Sequence, residues 1–76
     1  MAKVKNDDLL VKIGLVIKEL RKKKGLLQSD ILEETGIHVA RIEVAGRNLS
    51  VSSLAALLEH LDIKLSDFFK LVEKQK

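Results

Sequence analysis

Cysteine, proline, tryptophan and tyrosine are all absent from this 76-residue sequence. Without cysteine there is neither a disulfide framework nor a thiolate zinc site, which fits a reducing cytosol. The opening MAKVKNDDLLVKIG carries lysines but also Asp7 and Asp8, and it has no apolar run long enough for a signal peptide or a membrane span. No stretch alternates at period two for long enough to make a strand. There is no repeat, low-complexity tract or glycine-rich phosphate loop. His38 and His60 lack a cysteine partner and close ligand spacing, so no metal site is expected. Ser50, Ser52 and Ser53 precede His60, but serine before and within a helix start is usually a cap rather than a nucleophile. The expectation is a non-enzymatic, cytoplasmic protein with no cofactor and no small-molecule ligand, folded as a single domain over residues 1–76.

What is present begins with charge. The net charge is +3, and its placement says more than its size. Residues 1–50 hold ten Lys/Arg against seven Asp/Glu, whereas residues 51–76 hold four of each. The excess is densest from Lys18 to Lys24. A local positive excess suggests a polyanionic partner. The same run also has a plainer reading, because Lys and Arg favour the last turn of any helix.

Apolar periodicity gives five helices and one core. Asp7 or Asp8 can cap the first, and Leu9, Ile13, Val16, Ile17 and Leu20 form its stripe as far as Lys24 and Gly25. Gly14 inside this helix costs up to about 1 kcal/mol relative to alanine, which suggests that another helix crosses closely there. A short second helix is expected over 28–34, with Ile31 and Leu32 inward, followed by a Thr35-Gly36 turn in which Thr35 caps the third helix. The loop 45–49 holds Gly46, Arg47 and Asn48. Ser50 is a natural cap for a fourth helix over 51–61, with Leu54, Leu57, Leu58 and Leu61 on one face. Ser66 is expected to cap a fifth helix over 67–73, with Phe68, Phe69, Leu71 and Val72.

The stretch around which the rest is organised is TGIHVARIEVAGRNLS, Thr35 to Ser50. Taken as a helix from Gly36 to Ala45, it puts Val39, Ile42 and Glu43 on one side and Ile37, Arg41 and Val44 on the other, with His38 and Ala40 flanking the second side. The first side suits a core, and its carboxylate needs a cation nearby. The second side centres on an arginine, as a helix lying in a DNA major groove would.

In order along the chain come Ile13-Gly14, Ile17-Lys18-Glu19-Leu20-Arg21, Gly25-Leu26-Leu27-Gln28, Thr35-Gly36-Ile37, Ile42-Glu43, Arg47-Asn48-Leu49-Ser50, Leu54 and Leu65-Ser66-Asp67-Phe68-Phe69. This ordered set resembles the Cro/repressor-like (Xre) helix-turn-helix domains over about residues 13–69. The resemblance implies an all-α, compact five-helix domain with a lambda-repressor-like helix-turn-helix. It also implies a sequence-specific transcriptional regulator that binds double-stranded DNA, often as a homodimer. The chain departs from the family pattern between Gln28 and Ile42, where it is about three residues shorter; the shortening can fall in the second helix, in the turn or at the start of the third helix, and the first two are preferred because Val39 to Glu43 still matches the reading helix.

The resemblance assigns DNA-binding roles to Gln28, Thr35, His38, Arg41, Val44, Arg47 and Asn48. Arg41 is the leading base reader, since arginine can grip guanine O6 and N7 with two hydrogen bonds; the alternative is an exposed arginine that touches only phosphate or water. His38 suits a base edge, a phosphate or a plain helix start. Val44 and Ile37 suit thymine methyls, with peripheral packing the stronger alternative for Ile37. Gln28 would meet a phosphate at the start of the second helix, or be an ordinary helix-start glutamine. Arg47 and Asn48 would meet the backbone, although Asn48 also suits a turn. The resemblance pairs Arg21 with Glu43 as structure rather than site. A rival function is a protein-interaction module, such as an antitoxin-like partner with secondary DNA binding, whose apolar fifth helix would hold another protein.

Overall fold

The computed structural model describes residues 7–45 and 49–75, and for Asp7, Val44 and Ala45 the backbone alone. Five helices follow one another: α1 (Asp7–Lys23), α2 (Gln28–Thr35), α3 (Val39–Ala45), α4 (Val51–His60) and α5 (Leu65–Lys74). There is no strand among the described residues. α1 packs against α3 and α5, α2 against α3 and α4, and α4 against α5.

The apolar stripes read from the sequence meet in one core. Ile13, Val16 and Ile17 of α1, Ile31 of α2, Val39 and Ile42 of α3, Leu54, Leu57 and Leu58 of α4, Leu61, and Phe68 and Val72 of α5 are all buried together. Each such side chain contributes about 1.5–3 kcal/mol by leaving water. Leu9 in the first turn of α1 and Leu32 of α2 are exposed, contrary to their expected inward places. On a helix of eight residues one row, that of Ile31, reaches the core.

The helix ends follow local chemistry. Gly25 is left-handed at φ 70°. The Leu26 N–H donates to the Arg21 carbonyl at 3.1 Å and the Gly25 N–H to that of Lys22 at 2.9 Å, a Schellman closure of α1. α4 closes the same way, with Ile63 N–H on the Leu58 carbonyl at 3.0 Å and Asp62 N–H on that of Glu59 at 3.1 Å. Here the left-handed residue is Asp62, at φ 58°. Ser50 caps α4 as expected, its hydroxyl accepting from the Ser53 N–H at 3.0 Å.

Two expected caps are absent. Ser66 does not open the fifth helix: α5 starts at Leu65, Lys64 occupies the cap position and makes no side-chain cap bond. The helix therefore begins one residue before its serine, and the Phe68 N–H already bonds the Lys64 carbonyl at 2.9 Å. Thr35 does not cap the third helix either. It is the last residue of α2, and its hydroxyl donates to the Ile31 carbonyl at 2.7 Å and accepts from the Ile37 N–H at 3.1 Å.

Candidate nucleic-acid interface

The short α3 is held by what lies under it. Gly14 of α1 lets the helices touch: a Cβ there would stand 2.6 Å from the Ile42 carbonyl oxygen and 3.4 Å from Glu43 Cα. The glycine in α1 therefore marks a helix crossing, as its cost in the sequence suggested. Val39 and Ile42 point down into the core, and Glu43 turns inward beside them.

Glu43 finds its cation in Arg21. Arg21 Nε donates to Glu43 Oε2 at 2.7 Å and Nη2 to Oε1 at 3.0 Å, a two-pronged pair. Only 9% of the arginine side chain and 2% of the glutamate side chain are exposed. The third prong, Nη1, donates to the Leu26 carbonyl at 2.8 Å, so the same guanidinium fixes the α1–α2 turn and α3. The hydrogen bond to Glu43 holds the Arg21 pKa above its ordinary value, against the opposing pull of burial.

α2 is placed beside this pair. Its first residue, Gln28, donates from Nε2 to Glu43 Oε1 at 3.1 Å. Just before it, the Leu27 N–H donates to the Asp30 carboxylate at 2.7 Å. That is the reciprocal half of a capping box; the leucine side chain supplies no acceptor for the other half. The contact between Gln28 and Glu43 is not visible in the sequence, since glutamine at a helix start carries no pattern pointing fifteen residues ahead.

The turn differs from the expectation of a third helix starting at Gly36. Gly36 ends α2 in the left-handed region at φ 76°, with its N–H on the Leu32 carbonyl. Ile37 packs against the core, which takes it off the outward side. α3 begins only at Val39, after the His38 carbonyl accepts the Arg41 N–H at 3.1 Å. The second helix runs to Thr35, one residue beyond its expected end, and the third starts at Val39, three residues after the expected Gly36.

The outward side of α3 carries Arg41, exposed, with His38 exposed at the helix start. Gln28 is exposed at the start of α2, and Thr35 is half-buried with its hydroxyl committed within the turn. Val44 lies on α3. The sequence-predicted Arg47 and Asn48 lie outside the described residues. Lys22, Lys23 and Lys24 stand exposed at the end of α1, and Lys24 Nζ lies 3.8 Å from Asp62 Oδ2. Among the described residues no group of His, Cys, Asp and Glu could hold a metal ion, and no helix is long and apolar enough to cross a membrane.

The helix-turn-helix family model matches residues 17–68. Among solved structures, a point mutant of the restriction-modification controller protein C.Esp1396I is 31% identical, covers 88% of this chain and 93% of its own, and superposes with a TM-score of 0.81. The tetramer of C.Esp1396I in complex with its natural 35 base-pair operator gives 32% identity, coverage of 87% and 91%, and a TM-score of 0.77. The same protein bound to a 25 base-pair operator site gives 32% identity, the same coverages of 87% and 91%, and a TM-score of 0.78. Among curated protein sequences nothing matches.

Proposed function

The chain belongs to the helix-turn-helix family, and on that premise we propose that it is a sequence-specific DNA-binding transcriptional regulator. It works in the cytoplasm as a homodimer on an inverted-repeat operator. The observation that carries this reading is the polarity of α3. Val39 and Ile42 are buried and Glu43 is locked to Arg21, so the helix cannot rotate, and Arg41 is left exposed on the opposite side. A fixed helix with an outward arginine is what major-groove readout requires.

Arg41 and Val44 meet base edges in this reading, with His38 at the groove's entry. Gln28, Arg47 and Asn48 serve the backbone, Thr35 acts only through the turn its hydroxyl holds, and the lysines at the end of α1 supply sequence-independent attraction. The similarity to controller proteins solved on operator DNA supports this arrangement. The rival reading, a module that binds a partner through the fifth helix with Phe68, Phe69, Leu71 and Val72, keeps Leu71 exposed but has less apolar surface to offer. Phe68 and Val72 are in the core, and the half-buried Phe69 packs edge-on against Phe68, with ring centroids 5.2 Å apart.

Selection of bound duplexes from a random pool tests the reading. The expected product is two inverted half-sites whose centres are about 34–36 Å apart along the duplex. If about six phosphates are neutralised, log K falls against log salt with a slope near −5. A pool that yields no consensus, or a flat salt response, would remove DNA as the main partner. One chain per symmetric site in sedimentation would exclude the dimer.

A further inference from the structure

The buried pair and the helix start that faces the proposed DNA share an atom. Glu43 Oε1 accepts from Arg21 Nη2 at 3.0 Å and from Gln28 Nε2 at 3.1 Å. Glu43 is sealed, with 2% of its side chain exposed, whereas Gln28 is an exposed residue at the first position of α2. Gln28 therefore stands between a buried carboxylate and solvent.

A primary amide carries two N–H donors on one nitrogen and an acceptor oxygen on the other arm. Left to itself, the amide at an exposed helix start turns either arm outward. The Glu43 carboxylate removes that choice, because it accepts and cannot donate when ionised. The nitrogen must face Glu43, and with one hydrogen engaged the planar geometry directs the second away from the carboxylate. The group so presented can donate to two anions at once, one protein carboxylate and one external. It lies where the N–H groups of Gln28 and Ser29 begin α2, the end of a helix that favours anions.

We infer that Glu43 is a positioning residue for the DNA backbone, holding the Gln28 amide so that one Nε2 hydrogen stays on Glu43 while the other is given to a phosphate. The Arg21–Glu43 pair is then part of the DNA-binding machinery as well as of the core. The inference rests on the proposed function, and it adds that binding is set through Glu43 and not by Gln28 alone. It also explains why a neutral two-donor residue suits position 28. A carboxylate there would face Glu43 and repel phosphate, and alanine would leave the phosphate without a donor.

The test uses the full chain and the operator selected for it, with single methylphosphonate linkages placed in turn along each strand. Wild-type binding should weaken at one linkage per half-site that Gln28→Ala no longer senses. Gln28→Ala should bind intact operator about tenfold or more weakly, as for loss of a hydrogen bond to a charged group. Its melting midpoint should stay near that of wild type, because Arg21 still holds Glu43. Gln28→Glu should bind more weakly than Gln28→Ala. Glu43→Gln gives the coupling: it should weaken operator binding in the wild-type background and do so much less in Gln28→Ala. If Glu43→Gln does not fold, Glu43→Asp, which keeps the charge opposite Arg21 and draws the carboxylate back from the Gln28 amide, is compared in the same two backgrounds and decides in the same way. Wild type that binds DNA while Gln28→Ala shows the same affinity and the same sensitive linkages would overturn the inference and leave the proposed function standing. Equal effects of Glu43→Gln in both backgrounds would overturn the positioning role. Wild type that binds no DNA would end both.

Discussion

Gly14 of α1 and Ile42 of α3 are in backbone contact: a Cβ on Gly14 would lie 2.6 Å from the Ile42 carbonyl oxygen. The neighbour is main chain, so no rotamer change relieves the overlap. Gly14→Ala should gain up to about 1 kcal/mol in helix propensity and lose more than that, about 1–3 kcal/mol, in displaced packing. The expected net is a lower melting midpoint and a weaker grip on operator DNA, since α3 is the element displaced. A rise in the midpoint would show that α3 moves away at no cost.

Arg21 and Glu43 give the second prediction. Arg21→Ala leaves a carboxylate whose side chain is 2% exposed without its cation. Breaking such a buried pair from one side costs about 3–5 kcal/mol. Arg41→Ala removes an exposed side chain and should change stability by about 0.5 kcal/mol or less. Denaturant melts of the two variants compare them directly, and similar midpoints would mean that the pair does not anchor α3.

Much of this architecture was legible in the sequence, and what was not has a common cause. Stripes such as Ile13, Val16 and Ile17, or Leu54, Leu57 and Leu58, announce their helices because burial repeats with the helical period. Gly14 announced the crossing because glycine in a helix is costly. The start of α3 was hidden because the Thr35 hydroxyl satisfies the Ile37 N–H from the preceding helix, a local bond that no periodicity encodes. The start of α5 is not legible in the sequence because Ser66 has a capping residue's chemistry while Lys64 has the capping position. The Gln28–Glu43 contact depends on how α2 and α3 dock, which only the folded chain supplies.

The Thr35 hydroxyl therefore has a structural role that substitution can isolate. Thr35→Val keeps the shape but removes a donor to the Ile31 carbonyl and the acceptor for the Ile37 N–H. Leaving a part-buried N–H unpaired costs about 1–3 kcal/mol. Thr35→Ser keeps both bonds and should retain most of the stability. Chemical denaturation of the pair checks this; if valine is as stable as serine, the turn does not depend on the hydroxyl.

Asp62 holds a left-handed conformation at φ 58° at the close of α4. That geometry suits glycine, and Asp62→Gly should stabilise the fold by about 0.5–1 kcal/mol despite the greater freedom of the unfolded chain. The contact with Lys24, at 3.8 Å with the aspartate side chain 91% exposed, is too solvated to offset this gain. Asp62→Val should destabilise instead, since a β-branched residue fits the left-handed region poorly. A midpoint for Asp62→Gly below that of wild type would assign Asp62 a role beyond closing the helix.

The last prediction separates reading from gripping. Arg41 is exposed on the side of α3 opposite Val39 and Ile42, and α3 is pinned by Gly14 below and Arg21 beside it. If Arg41 enters the groove it contributes about 1–3 kcal/mol of discrimination at one base pair in each half-site. Arg41→Ala should then bind the selected operator more weakly and bind operators changed at that base pair nearly as well. Gln28→Ala, which loses a backbone contact, should weaken binding to all sequences about equally and keep their ranking. The measurement is the affinity of wild type and both variants for every single-base change in the operator. If Arg41→Ala keeps the full wild-type ranking, Arg41 is not the reader, and the late start of α3 makes His38, exposed at that start, the next residue to test by the same scan.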